Sequence, residues 1–213
     1  MSSRLTLSDL RAMLRGAVAE IGANHEWLSR LDSAIGDGDH GTAMLRAMRA
    51  IETAIDAPEC GTIEDLLSRV AWDIMGIAGG STGPLLGSFF LGMSEQVGAD
   101  ESLDAAQLVQ MVEGGIKGMR MNTQARVGDK TMMDALLPAT AALSGSVASG
   151  CGPLDALRAA SVAAAEGAEA TLDMRARFGR ARNLGDRVVG HMDPGACSVS
   201  LIFAGFVHGL ETG

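Results

Sequence analysis

Three aspartates close together are the residues of this chain whose types and spacing most clearly suggest chemistry. The stretch SRLDSAIGDGDHGTAM, residues 29–44, contains Asp32, Asp37 and Asp39, with no lysine or arginine between them. Aspartates are common in turns and helix caps, and two of the three could be explained in that way. Three carboxylates in one glycine-containing loop repel each other, however, and a shared hard cation removes that cost. The spacing therefore indicates a metal site.

Mg²⁺ fits the pattern better than Ca²⁺. An EF-hand loop beginning at Asp37 would need an acidic or amide residue at its fifth position, where Gly41 stands. Mg²⁺ takes one or two protein carboxylates and completes its coordination shell with water and substrate phosphates. A phosphate-containing ligand is therefore an expected companion of the metal.

Four further stretches rich in glycine and polar residues fall at predicted helix boundaries. They are AGGSTGP at 78–84, VGDKT at 127–131, FGRARNLGD at 178–186 and GHMDPGA at 190–196. AGGSTGP could bring backbone amides close to a ligand or be an ordinary turn. VGDKT is not a P-loop, because Asp129 rather than glycine precedes Lys130, and it could serve only as a cap. His40 and His191 suit either a phosphate contact or a structural hydrogen bond.

The elements that must position these residues are predicted to be helices. Apolar residues recur at three- and four-residue spacing, Thr62 and Asp65 form a capping pair, and Asp193 with Pro194 marks another helix start. The pattern predicts about eight helices and no convincing strand, near 6–29, 41–56, 62–78, 83–97, 102–122, 131–147, 153–174 and 194–211. The fold class is therefore all-α, an antiparallel bundle or barrel. Alternate loops of such a bundle share one end, so all five unusual stretches are expected on one rim.

Composition narrows the class of protein. The chain has 213 residues, a length typical of one compact domain, and we expect a single domain over 1–213. A formal charge of −9 argues against a nucleic-acid partner, since phosphate-backbone binding needs a basic surface. The N-terminus shows no signal peptide, and the apolar runs are shorter than the roughly 20 residues of a membrane span. Three cysteines without a CxxC pair, Cys60, Cys151 and Cys197, suit buried free thiols in a reducing cytoplasm.

Taken together, these stretches resemble a known family. LDSAIGDGDHGTAM, AGGSTGPLLGSFF, GDKTMMDALLPA and GRARNLGDRVVGHMDPGACSVSLIF, in this order, are similar to the nucleotide-binding L subunit of dihydroxyacetone kinases. That family has the L unit as a separate subunit or as the C-terminal domain of one-chain kinases. The resemblance implies an eight-helix antiparallel barrel that holds ADP or ATP on one rim through two Mg²⁺ ions.

The resemblance also implies roles for individual residues. The metal ligands would be Asp32, Asp37 and Asp39. The nucleotide contacts would be His40, Gly41, Thr42, Ala43, Ser81, Thr82, Thr123, Met132, Arg180, Met192, Asp193 and Pro194. This sequence departs from the family at Thr123, where glycine is frequent, and at Asn183 and Asp186 in GRARNLGDR, where tyrosine and glutamate are usual.

The implied partners leave alternatives open. In the family a ketose, dihydroxyacetone or a tetrulose, is bound to a histidine of a separate K subunit or domain, so the acceptor-binding residue is expected on a partner chain. The phosphate could come from free ATP, or ADP could be held permanently and rephosphorylated by a phosphotransferase-system protein. A homodimer is a further option. The other class is a nucleotide-loaded regulatory module, and a lipid-kinase relative is less favoured because that branch has DGDTG instead of DGDHG.

Overall fold

The described residues contain eight α-helices. The computed structural model describes residues 4–77, 82–98 and 100–213. The helices are α1 (Leu7–Ile35), α2 (His40–Ile55), α3 (Ile63–Met75), α4 (Thr82–Val97), α5 (Ala105–Arg120), α6 (Met133–Ala148), α7 (Pro153–Ala170) and α8 (Pro194–Thr212). Each helix packs against the next one in the chain, and α8 packs along α1, so the ring closes. The predicted all-α helical barrel is confirmed.

Side-chain caps explain where several helices begin. Reciprocal capping boxes start α1, α3 and α5, formed by Thr6 with Asp9, Thr62 with Asp65, and Asp104 with Gln107. Asp193 caps α8 and Pro194 is its first residue, as the sequence predicts. Inside the ring, side chains such as Ile21 and Leu66 are fully buried. Capping side chains thus determine where these helices start, and burial of apolar side chains determines which face of each helix points into the barrel.

Most helix boundaries differ from the predicted ones by a few residues, and three of the differences lie close to the acidic stretch or to the other glycine-rich stretches. Helix α1 continues to Ile35, beyond the predicted end at residue 29, so Asp32 lies in its last turn and not in a loop. Helix α4 begins at Thr82. Helix α7 ends at Ala170 and is followed by 3₁₀ turns at Thr171–Asp173 and Ala181–Val188.

The prediction that the chain contains no strand was wrong, because two short strands are present. β1 (Leu5–Thr6) and β2 (Ser102–Leu103) pair antiparallel, each directly before a capped helix. Arg4 supports the pair because its guanidinium donates to the carbonyl of Ser102 at 2.6 Å. Two residues carry no periodicity signal, which is why the pattern gave no indication of them.

Helix α8 is the most apolar of the long helices. It is the one described helix whose length and mean hydropathy, 1.2, reach the range of a membrane span. It packs along α1 and α7, and eleven of its residues are buried, among them Val199, Phe203 and Phe206. A core helix of a barrel has this composition for the same reason as a membrane helix, since both exclude water.

Candidate functional site

The three aspartates converge at one rim of the barrel. One carboxylate oxygen from each of Asp32, Asp37 and Asp39 lies within 4.8 Å of the others. Asp32 is half-buried at the end of α1, whereas Asp37 and Asp39 are exposed in the turn that leads to α2. Oxygen-only donors at this separation suit a hard cation such as Mg²⁺.

The local structure does not use the Asp39 carboxylate as a cap. Asp39 is the N-cap of α2, yet its side chain accepts no capping hydrogen bond. Asp32 lies at the C-terminal end of α1, where the helix dipole disfavours a negative charge. The explanation as an ordinary N-cap therefore fails for Asp39, and Asp32 stands at the end of its own helix that is unfavourable for a carboxylate.

The turn holds Asp32 in place. The backbone amide of His40 donates to Asp32 Oδ2 at 3.2 Å. Gly36 leaves room on the other side, because a Cβ there would lie 2.3 Å from Asp32 Oδ1. The side chain of Asp32 is thus oriented by the start of one helix and by a residue that has no side chain.

Arg180 is the cation that the structure places at the three aspartates. Its guanidinium forms an ion pair with Asp37 and lies 3.9 Å from Asp39. Arg180 comes from the long connection between α7 and α8, which is remote in sequence. One positive charge does not balance three carboxylates, so the cluster retains a negative charge that a divalent cation would neutralise.

Four helix N-termini surround the same space. Residues at the starts of α2, α4, α6 and α8 line a cavity of about 650 Å³, which also contains the three aspartates. Backbone amides and the positive end of the helix dipole attract phosphate groups. An acidic metal cluster within a ring of helix N-termini is an arrangement that accommodates both a divalent cation and an anion.

The imidazole of His40 connects two of these helices. It is partly buried, and its Nε2 lies 2.7 Å from Ser198 Oγ on α8, while that hydroxyl donates to the carbonyl of Pro194 at 3.0 Å. Burial lowers the pKa of His40, with Asp32 opposing this effect. The neutral ring, with its N–H directed at Ser198, therefore anchors the start of α2 to α8.

A buried charged group lies behind the starts of α6 and α8. Lys130 is 2% exposed, and its ammonium donates to the carbonyls of Thr171 and His191. Burial raises the pKa of Asp193 to about 7, although the amide of Ala196 and the charge of Lys130 oppose this shift. Asp193 accepts from the Ala196 amide at 2.8 Å, so it caps α8 next to the cavity.

Most of the predicted site residues line this cavity. These are Asp32, Asp37, Asp39, His40, Ala43, Thr82, Thr123, Met132, Arg180, Asp193 and Pro194. Three others do not: Gly41 is buried against α1, Thr42 is exposed, and Met192 packs against the core. Ser81 lies outside the described residues.

Sequence reasoning missed several lining residues. Arg46 and Phe178 line the cavity, as do Leu85 and Asn122. Arg46 could have been found, since it follows His40 and Ala43 at three-residue spacing on one face of α2. Phe178 is 38% exposed, which is unusual for a phenylalanine and suits a surface that contacts a ligand.

Comparison with known proteins shows the family of the chain. The DAK2 domain matches residues 34–208 of the chain. The chain belongs to the DAK2 domain family. The ADP-binding subunit DhaL of the PEP-dependent dihydroxyacetone kinase of Escherichia coli K12 is 38% identical over 174 residues, which is 82% of this chain and 83% of that subunit. The DhaL subunit of PEP-dependent dihydroxyacetone kinase 1 of Listeria innocua is 36% identical over 180 residues, 84% of this chain and 85% of the subunit.

A solved structure shares the fold. The crystal structure of the dihydroxyacetone kinase from C. freundii in complex with AMP-PNP and Mg²⁺ matches with a TM-score of 0.72 and 27% identity. The match covers 93% of this DAK2 chain and 33% of that larger chain. The predicted resemblance to dihydroxyacetone kinase L subunits is thereby confirmed.

Proposed function

We propose that this chain is the nucleotide-binding, Mg²⁺-dependent subunit of a dihydroxyacetone-type kinase, a phosphotransferase that acts in the cytoplasm. The observation that carries the proposal is the cluster of Asp32, Asp37 and Asp39 within a ring of four helix N-termini. The relatives named as ADP-binding subunits, and the structure with AMP-PNP and Mg²⁺, support the same ligand pair.

The aspartates would hold two Mg²⁺ ions. Bound Mg²⁺ neutralises the charge that develops on the β- and γ-phosphate oxygens during phosphoryl transfer. A divalent cation competes with the guanidinium of Arg180 for Asp37 and Asp39, since both need the same carboxylates. Arg180 released in this way stays at the rim, within reach of phosphate oxygens.

The rest of the cavity would hold the nucleoside part of ADP or ATP. Leu85, Met132 and Phe178 give the lining an apolar portion, which suits a base. The starts of α4, α6 and α8 line the same cavity as the acidic cluster, through residues such as Thr82, Met132 and Gly195. The positive ends of these helix dipoles would attract the phosphates.

The acceptor would be a ketose bound to a separate K-type subunit. The relatives that match this chain over most of their own length are named as subunits, which supports an acceptor site on another chain. We expect the partner to meet the rim, because the transferred phosphate must reach the acceptor. The test is a kinase assay of the purified chain with a K-type partner, with dihydroxyacetone and four-carbon ketoses, in which activity is expected only with both chains present.

The phosphate source has two candidates. The relatives named as PEP-dependent favour an ADP that is retained and rephosphorylated by a phosphotransferase-system protein. Purification without added nucleotide tests this idea, since ADP is then expected to elute with the chain. If the chain is purified free of nucleotide and, with the K-type partner, is active when ATP is the only phosphate source, this would instead support free exchange of ATP and ADP.

The metal assignment has its own test. Asp37→Ala removes an exposed ligand and should reduce Mg²⁺-dependent ADP affinity by at least about 100-fold, because the phosphates lose their main counter-charge. Isothermal titration calorimetry measures the affinity. Asp56→Ala is the matched control, since Asp56 is an exposed aspartate that pairs with Arg15 at the opposite end of α2. Unchanged affinity in Asp37→Ala would rule out the metal site.

A further inference from the structure

The connector, which is the segment 171–193 from the end of α7 to the start of α8, is a loop whose two ends meet. The amide of Gly190 donates to the carbonyl of Leu172 at 2.8 Å. The amide of Asp193 donates to Thr171 Oγ1, also at 2.8 Å. Surface loops with close ends are frequently functional. The two arms of the connector therefore leave the barrel from one base.

Lys130 lies at this base and joins the two arms. Its buried ammonium donates to the carbonyl of Thr171 on one arm and to that of His191 on the other. Its backbone has a φ of 58°, which residues other than glycine rarely adopt. Burying an ammonium is costly unless hydrogen bonds compensate it, and here the compensation comes from the connector itself.

The loop that carries Lys130 also holds the outgoing arm. The amide of Arg177 donates to the carbonyl of Asp129 at 3.1 Å, and its guanidinium lies 3.5 Å from the Asp129 carboxylate. Three residues further along, Arg180 forms its ion pair with Asp37. The loop of Lys130 is thus connected to the acidic cluster through Arg177 and the three-residue step of chain to Arg180.

We propose that Lys130 is a positioning residue, which closes the base of the connector and thereby holds Arg180 at the rim beside the acidic cluster. Its ammonium does not contact the cluster and acts through the connector. This inference rests on the proposed function for its effect on phosphoryl transfer, but its effect on the connector can be measured without any activity.

Amide hydrogen exchange of the full-length chain tests the closure of the base. In Lys130→Met the amides of Gly190 and Asp193 should exchange at least about tenfold faster, because the two arms separate, while amides in the middle of α1 stay as in the wild type. Lys117→Met is the matched control, since Lys117 is an exposed lysine at the end of α5. It should leave all of these rates unchanged.

A milder variant keeps the test decisive if Lys130→Met does not fold. Lys130→Gln retains an N–H donor but is shorter and uncharged, so the Gly190 and Asp193 amides should again exchange faster, by a smaller factor. Lys130→Arg keeps the charge and can donate to two carbonyls, and it should restore most of the protection. Wild-type exchange rates at both amides in folded Lys130→Met or Lys130→Gln would overturn the proposal.

A double-mutant cycle tests whether Lys130 acts through Arg180. With a K-type partner, Lys130→Met and Arg180→Met should each lower kcat by at least about tenfold. The double variant should be no slower than Arg180→Met, because the connector no longer positions anything once the guanidinium is absent. If the decrease in kcat of the double variant equals the product of the two single decreases, Lys130 has a general structural role and the proposal is overturned. A wild-type chain that transfers no phosphate with any partner would contradict the proposed function, while the exchange rates would still decide on Lys130.

Discussion

Gly36 matters at the scale of single residues because it gives Asp32 its position. A Cβ at Gly36 would lie 2.3 Å from Asp32 Oδ1, so the carboxylate would have to turn away. We expect Gly36→Ala to weaken Mg²⁺-dependent nucleotide binding by roughly tenfold although every ligand is still present. Calorimetric titration with ADP at saturating Mg²⁺ measures this change.

The control for this variant is Gly61→Ala, at a turn glycine with open space around it. It should bind nucleotide like the wild type. Equal affinities in the Gly36 and Gly61 variants would show that Asp32 tolerates displacement, which would remove Gly36 from the account of the site.

The cysteines provide a second prediction at this scale. Cys60 and Cys197 are buried, and Cys151 is partly exposed. Burial is the main cause that raises the pKa of the Cys197 thiol to about 12, with the charge of Asp193 adding to it, and burial also raises the pKa of Cys60. Since the thiolate is the reactive form, iodoacetamide at pH 8 should label Cys151 alone in the native chain.

Mass spectrometry of the labelled chain checks this pattern. All three thiols should react after denaturation in guanidinium, which provides the internal control. Rapid labelling of native Cys197 would show that the start of α8 opens to solvent, contrary to its buried position next to Asp193.

Residue types alone were enough to predict that Asp32, Asp37 and Asp39 form one cluster, which the structure shows, whereas metal binding by this cluster stays a prediction. Three aspartates without a nearby cation already indicated a hard-cation site, because the repulsion is evident from the sequence. The pairing of Arg180 with Asp37 was not evident, since about 140 residues separate them and sequence spacing carries no information at that distance. Residue roles taken from the resemblance, such as a nucleotide contact at Thr123, stay predictions.

Among the helices, the apolar spacing predicted number and order correctly and the ends less well. The end of α1 was placed at residue 29 because the acidic, glycine-containing stretch reads as a turn, whereas the helix continues to Ile35. The apolar residues Leu31 and Ile35 keep the helical spacing, and Gly36 then ends it. The acidic residues at the end of α1 favour a turn by their type, although the apolar spacing favours a helix. Such a conflict between local sequence and fold is expected at binding sites.

Gly41 shows how two helices meet beneath the site. A Cβ at this position would lie 1.9 Å from the carbonyl oxygen of His25, so α2 begins in close contact with α1. Gly41→Ala should therefore lower the free energy of unfolding by about 1–3 kcal/mol through overpacking. Urea denaturation followed by circular dichroism measures this loss.

Gly22→Ala is the matched comparison within α1. Nothing lies within 4 Å of a Cβ at Gly22, so alanine there should raise stability by about 0.5–1 kcal/mol through its better helix propensity. A Gly41→Ala variant as stable as the wild type would mean that α1 and α2 separate at little cost, contrary to this prediction.

At the scale of the whole molecule, an acidic protein is proposed to bind an acidic ligand. The formal charge of −9 repels a nucleotide, so the local arrangement has to overcome the general field. Barrel topology achieves this by bringing the N-termini of α2, α4, α6 and α8 to one rim. That convergence was predictable from the alternation of loops, because an antiparallel ring leaves no other arrangement for them.

Contacts across the barrel were beyond prediction for the same topological reason. Lys130 reaches carbonyls 41 and 61 residues away, and its stretch could only be read as a possible cap. A local pattern specifies which helix a residue belongs to, whereas the packing of the closed ring specifies which distant residues it meets. The connector therefore became interpretable only with the fold.

Joint binding of metal and nucleotide should stabilise the whole barrel. The cavity is lined by the ends or starts of α1, α2, α4, α6 and α8, so one bound complex would connect helices that are distant along the chain. At 100 times the dissociation constant, a ligand specific for the folded state adds about 2.7 kcal/mol to the free energy of unfolding. We expect Mg²⁺ with ADP to raise Tm by several degrees, and ADP with EDTA to raise it hardly at all, because without the cation the aspartates repel the phosphates. Differential scanning calorimetry measures both conditions, with Asp37→Ala as the variant in which the joint effect should disappear. An equal rise with EDTA would mean that the helix N-termini bind the nucleotide without the metal.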